Sequence, residues 1–284
     1  MPKTIAKPGY KSQAADTSID ADLQQFSLLR KWSLGDRLQL SAKLSRHLRA
    51  LCLAGIKQRC PTGSALERRT QFDRAVLAEK LHPGFRPKLV DETMWIQDSI
   101  ELAEQLHSIL EANAIPYYVG GGVASSAHGE PRATRDLDLI VQIQPEALSV
   151  LVEILEVHHF YCPEGAVEEI KQGRSRMLNI TNIETSANAD LFIMDVSPFA
   201  QSQMARRSLI SVDGTHQFWI CSAEDTVLQK LLWRRSSQSE QQWRDVLGVL
   251  KVQVDHLDYS YLAEWAEQLG ILDVLSQAFV AAGV

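Results

Sequence analysis

YVGGGVASSAHGEPRATRDLDLIV, residues 118–141, sets three consecutive glycines, two arginines and a D-x-D between apolar ends. Its first residues read as a strand that runs through the glycines into a helix. Glycines at such a junction leave backbone N–H groups bare, and the helix dipole adds positive charge, so a phosphate can sit there. On a strand, residues two apart share a face, so Asp136 and Asp138 project together from the first residues of a strand, DLDLIV, whose remainder is apolar. Neighbouring carboxylates in a mostly buried strand are costly without a cation, and hard oxygen ligands suit Mg²⁺. The alternative is an Asp136 that caps a turn and an Asp138 paired with Arg132 or Arg135.

A dinucleotide-binding loop is the obvious rival, but it requires G-x-G-x-x-G and one acidic residue about 20 positions later. Here Ser125 stands where the third glycine belongs, and the acids form a pair at the start of the next strand. Phosphates beside paired carboxylates suggest metal-assisted phosphoryl chemistry, which takes a third carboxylate. NADLFIMD, residues 188–195, offers Asp190, on one strand face with Phe192 and Met194, and Asp195, at the strand's end. Asp190 is the choice; Asp195 reads as a turn or cap residue.

Composition bounds the class. The 284 residues are 45% hydrophobic, enough for a packed core, and no apolar run approaches a membrane span. The first 20 residues contain no apolar signal-peptide core, and the four cysteines form no C-x-x-C, so a reducing cytoplasm is expected. Residues 1–90 hold 17 Lys and Arg against 7 Asp and Glu, whereas residues 91–284 hold 12 against 28. A basic front and an acidic back suggest two units.

Residues 1–25 read as a disordered lead-in and residues 26–90 as a helical module, with Leu38, Leu44, Leu48, Leu51, Phe72 and Val76 at helical spacing. HPGFRP, residues 82–87, closes the module. Beyond residue 91 the expected pattern is α+β: a helix over 96–112, strands near 117–119, 137–143, 177–181, 189–194, 208–212 and 218–220, and helices to the end, broken at RRSSQSEQQ (234–242). His128 reads as a helix-end or core histidine, and Trp233, Trp243 and Trp265 as core.

The run GGG…HGEPRATRDLDLIV, followed by SAEDTVLQKLLWRR, SEQQWRDVLGVLKVQ and LDYSYLAEWAEQLGI, resembles the nucleotidyltransferase superfamily, and within it the bacterial AbiEii-type toxin branch. The resemblance covers about residues 94–275. It implies a mixed sheet flanked by helices, two Mg²⁺ ions, and transfer of a nucleoside monophosphate from a nucleoside triphosphate to a hydroxyl on RNA, a small molecule or a protein. By its motifs, Gly120, Gly121 and Gly122 form the phosphate loop, Asp136, Asp138 and Asp190 hold the metals, and Lys230 and Asp245 follow. The family loop usually reads Gly-Ser. Here the hydroxyl is missing, with Ser125 or Ser126 in the next turn as substitutes.

On this reading Arg132 and Arg135 neutralise phosphate and Lys230 reaches it from the helix after SAED, with a surface lysine as the alternative. A catalytically silent binding or regulatory module, of the toxin–antitoxin kind, is the competing function. The basic module, set before Met94 as if once a separate polypeptide, docks on the catalytic unit and restrains it, presents RNA through Arg46, Arg49, Lys57 and Arg59, or is merely a structural extension, the strongest rival.

Overall fold

Capping boxes start the two long N-terminal helices. The Ser33 and Ser64 hydroxyls accept the N–H groups of Asp36 and Glu67, whose carboxylates return the bond, opening α2 (Leu34–Arg59) and α3 (Ala65–Leu77) after a shorter α1 (Ile19–Leu29). A single 3₁₀ turn, Ala78–Lys80, follows α3, with Ala78 at a positive φ of 49°. The computed structural model describes residues 6–284, apart from the side chain of Ser236.

Residues 1–5 lie outside the described residues, but the rest of the expected disordered lead-in is ordered. Lys251 is fully buried and needs an anion. It donates to Asp22 Oδ2 at 2.7 Å and to the Lys11 carbonyl at 2.7 Å, while the Gln13 N–H donates to Asp22 Oδ1 at 2.7 Å. These contacts carry the lead-in across the C-terminal helices.

The remaining elements are α4 (Ser99–Ala112), β1 (Tyr117–Val119), α5 (Gly121–His128), β2 (Asp136–Val141), α6 (Leu148–Val157), β3 (Phe160–Tyr161), α7 (Ala166–Lys171), β4 (Met177–Asn182), β5 (Asn188–Ile193), α8 (Pro198–Arg206), β6 (Ser208–Ser211), β7 (Gln217–Ile220), α9 (Ala223–Ser237), α10 (Glu240–Gln253), α11 (Tyr259–Gln268) and α12 (Leu272–Ala282). The fold is α+β. Among the described residues seven strands form one mixed sheet in the order β3-β4-β5-β2-β1-β7-β6, with β2–β5 and β1–β7 parallel and the other pairs antiparallel.

Two boundaries differ from expectation. Helix α4 starts at Ser99, not Ile96, because the Asp98 carboxylate caps the N–H groups of Ile100 and Glu101 and residues before it form a separate 3₁₀ turn. The polar RRSSQSEQQ breaks only at Gln238, with φ 50°, before Ser239 caps α10.

Strand alternation sorts the core from the site. Leu137, Leu139, Val141, Ala189, Leu191 and Ile193 join Leu102 and Leu106 of α4 and Leu148 and Leu151 of α6 in one cluster, each large side chain stabilising by about 1.5–3 kcal/mol. Asp136, Asp138, Asp190 and Phe192 take the opposite face. A second cluster joins α9 to α12 through Val227, Leu231, Val246, Leu250, Leu262 and Leu275.

A boundary near residue 90 does not separate two cores, since Leu38 and Ala42 of α2 belong to the sheet cluster. Buried Arg37 donates to the Ala127 carbonyl at 2.7 Å, and Ser41 to the Arg132 carbonyl at 2.6 Å. The basic row expected to grip RNA is largely spent inside the chain. Arg46 pairs with Asp98, Lys57 with Glu92, and Arg49 donates to the Trp95, Thr185 and Ser186 carbonyls. Leu44, Leu48 and Leu51 of the apolar pattern face outward. Among the described residues no helix is long and apolar enough to cross a membrane, and the four cysteines are free.

Candidate active site

The glycines turn β1 into α5 with no room to spare. Gly121 has φ +55°, and a Cβ there would lie 1.7 Å from Asp138 Oδ2. The Gly120 N–H donates to the Asp138 carbonyl at 2.9 Å, and the Gly122 N–H bonds the Asp138 carboxylate. The start of α5 therefore already faces an anion, the carboxylate of Asp138. The hydroxyls suggested as substitutes in the next turn are engaged elsewhere. Buried Ser125 donates to the Gly121 carbonyl at 2.8 Å, and Ser126 bonds the Arg132 backbone.

The three acids share one face of neighbouring strands, as their spacing implies. Asp138 and Asp190 are direct partners in the parallel β2–β5 register, and Asp136 is one same-face step before Asp138. Burial and the Asp190 charge push the Asp138 carboxyl up to about 6. Asn179 on β4, opposite Asp190 in the sheet, donates to its Oδ1 at 2.6 Å. Asp195 is a turn residue, accepting the Ser197 N–H at 2.9 Å, and Ser197 itself caps α8.

An unforeseen residue closes the group. Lys80, from the 3₁₀ turn after α3, places its ammonium 2.6 Å from Asp190 Oδ2 and 2.9 Å from Asp136 Oδ2. Burial opposes its charge, but the two carboxylates outweigh burial and raise its pKa above the ordinary lysine value. No sequence motif marks Lys80, which lies 110 residues from Asp190.

Lys230 is buried, not a surface lysine. It donates to Asp245 Oδ2 at 2.8 Å, where Arg132 adds a two-pronged pair at 2.9 Å on each oxygen and Gln241 donates at 2.8 Å. Burial opposes the Asp245 charge, yet the Arg132 hydrogen bonds and the Lys230 ammonium hold its carboxyl below the usual range. Asp245 thus orients Arg132 and Lys230, and Arg132 does not pair with Asp138. Arg135 is exposed, 3.7 Å from Glu79.

A polar cleft of about 560 Å³ is lined by Gly122, Arg132, Arg135, Asp136, Asp138 and Lys230. Phe192 and Trp233, with ring centroids 6.3 Å apart, divide it from a neighbouring groove of about 500 Å³ lined by Tyr118, Arg176, Phe199 and Trp265. Trp233 therefore walls the site. Trp243 stacks under Arg234, and Trp265 packs on Phe199.

Among the described residues no three His, Cys, Asp or Glu side chains are gathered as a ready metal cage. Asp136 and Asp190 converge on Lys80, and Asp138 turns to the glycine loop. The donors still suit a hard divalent cation: all are carboxylates, and Asp136 Oδ1 is buried with no hydrogen-bond partner.

No family model matches the chain, and no curated protein matches it. Several solved structures resemble it at low identity. An antigenic nucleotidyltransferase-like protein from Paracoccidioides brasiliensis is 17% identical, with a TM-score of 0.43 over 65% of this chain and 93% of that one. The antibiotic-resistance factor ANT(2'')-Ia is 12% identical, with a TM-score of 0.42 over 62% of this chain and 96% of its own. The lincosamide antibiotic adenylyltransferase LnuA, solved with lincomycin, is 13% identical, with a TM-score of 0.36 over 52% and 93%. The functional reading rests on the site's own geometry.

Proposed function

We propose that this protein is a nucleotidyltransferase that moves a nucleoside monophosphate from a nucleoside triphosphate to an acceptor hydroxyl. One observation carries the reading. Asp138 and Asp190 stand opposite each other in parallel strands, with Asp136 on the same face, and Asp136 and Asp138 line a cleft together with Gly122 of the glycine loop and Lys230. The toxin-like branch rests on the motif run from Tyr118 to Val141 and on the Lys230 and Asp245 that follow it.

Asp136, Asp138 and Asp190 are the residues that would hold Mg²⁺, which supplies charge neutralisation for the triphosphate and acidifies the acceptor hydroxyl. Arg132 and Lys230, braced by Asp245, place positive charge along the cleft for the phosphates. Asp190, held by Asn179, accepts the proton from the acceptor oxygen. The acceptor oxygen bonds to the α-phosphorus, the bond to the bridging oxygen breaks, and pyrophosphate leaves. Beyond the Phe192–Trp233 wall, the groove offers a flat apolar surface to a nucleobase or an acceptor.

The test supplies each α-³²P-labelled triphosphate with Mg²⁺ to total RNA, to the protein itself and to small hydroxylated acceptors. Label on one acceptor, lost in Asp190→Asn, is the expected result. Labelling no greater than in Asp190→Asn with every pair overturns the reading. One observation favours the second reading, a silent binding or regulatory module: the Lys80 ammonium already pairs Asp136 and Asp190 within the chain. That module would bind a triphosphate and release it unchanged.

A further inference from the structure

Lys80 belongs to the helical module, yet its ammonium sits between two carboxylates of the site. The root of that module is clamped. Fully buried Arg69 on α3 donates to Asp73 at 2.8 Å, to the Ile183 carbonyl at 3.2 Å and to Ser186 Oγ at 2.6 Å, beside the β4–β5 turn. Immediately past α3, the backbone passes Ala78 in the left-handed half of φ and turns Lys80, the third residue beyond the helix, inward. The clamp and the turn together aim one long side chain at Asp136 and Asp190.

We infer that Lys80 is a resident counter-ion of the active site, occupying the place between Asp136 and Asp190 that a divalent cation takes, so that the cation enters only as Lys80 leaves. The inference rests on the carboxylates being a cation site. A single ammonium satisfies only one oxygen of Asp136, for Asp136 Oδ1 stays buried and unpartnered, and the site keeps capacity for a cation of higher charge. With Lys80 in place, its ammonium offsets part of the carboxylate charge of the metal-free site. Withdrawal of the 3₁₀ turn opens them from the side of the module, while the Arg69 clamp keeps α3 docked.

The experiment titrates Mn²⁺, followed by its paramagnetic resonance signal, into the full chain and into Lys80→Met and Lys80→Gln. Both variants are expected to bind Mn²⁺ at least tenfold more tightly than the parent and to melt lower in chelator. Equal or weaker affinity in the variants, with the parent still binding, overturns the role of Lys80 alone. No binding in any of the three overturns the cation site as well. Should the variants not fold, amine acetylation read by mass spectrometry on the parent decides. Saturating Mn²⁺ should expose Lys80 to reagent while buried Lys251 stays protected, and unchanged Lys80 reactivity overturns the inference.

Discussion

Asp138 Oδ2 fills the space where any side chain at Gly121 would begin, 1.7 Å from its Cβ position. The middle glycine of the loop and the central carboxylate are therefore one unit, each restricting the other.

Gly121→Ala is expected to cost at least about 2 kcal/mol, because a left-handed backbone and a collision with a buried carboxylate act together. Gly165→Ala, also at positive φ but with nothing within 4 Å of its Cβ, should cost only about 1 kcal/mol. Urea midpoints of the two variants measure the difference; equal losses would leave Asp138 no part in it.

Lys230→Ala carries a stability cost that a surface lysine would not, since the residue is buried against Asp245. The expected loss is about 1–3 kcal/mol, because Arg132 and Gln241 still hold Asp245, together with at least tenfold weaker triphosphate binding. Asp245→Asn should cost more, about 3–5 kcal/mol, as it strips the anion from two cations. The double variant should lose less than the sum, and additivity would show the residues to be uncoupled.

His128 makes the fold acid-labile. Its Nε2–H donates to the Cys221 carbonyl at 2.8 Å, and burial lowers its pKa from 6.5 to about 4. The unfolded chain takes up the proton first, so the stability this group contributes is present above pH 6.5 and lost as pH falls through about 4. The full effect is about 3 kcal/mol. His128→Gln, which keeps a donor for Cys221, should flatten the profile between pH 6.5 and 4 relative to the parent, measured by urea unfolding at each pH.

Asp136→Asn with Asp138→Asn should abolish Mg²⁺-dependent triphosphate binding while the chain stays folded, as removing charge from a crowded carboxylate group relieves repulsion. Titration of labelled triphosphate with and without Mg²⁺ tests it. Metal-dependent binding that survives both substitutions would refute the role assigned to the pair.

A truncation beginning at Met94 is expected to aggregate, because it strips Leu38, Ala42 and Arg37 from the sheet core and from the Ala127 carbonyl. Soluble recovery of residues 94–284 with a cooperative melt would instead mark the module as removable.

Much of the site was legible in residue order. Period-two alternation in DLDLIV and NADLFI placed Asp136, Asp138 and Asp190 on one face, and the glycines between strand and helix marked the loop, since these features depend on neighbours a few residues away. The role of His128 was also local: it ends α5, and no second ligand lies at metal spacing.

What tertiary structure alone decided is which distant group satisfies each buried charge. Asp22 meets Lys251 and so orders a lead-in whose composition reads as disordered; Asp245 draws Arg132 away from Asp138; Lys80 reaches Asp136 and Asp190 from the far side of the module boundary. A buried charge must find an opposite charge, but that need fixes only the sign of the partner. The partner's position along the chain depends on how α2, α3 and α10 pack against the sheet, and periodicity within each helix carries no record of it.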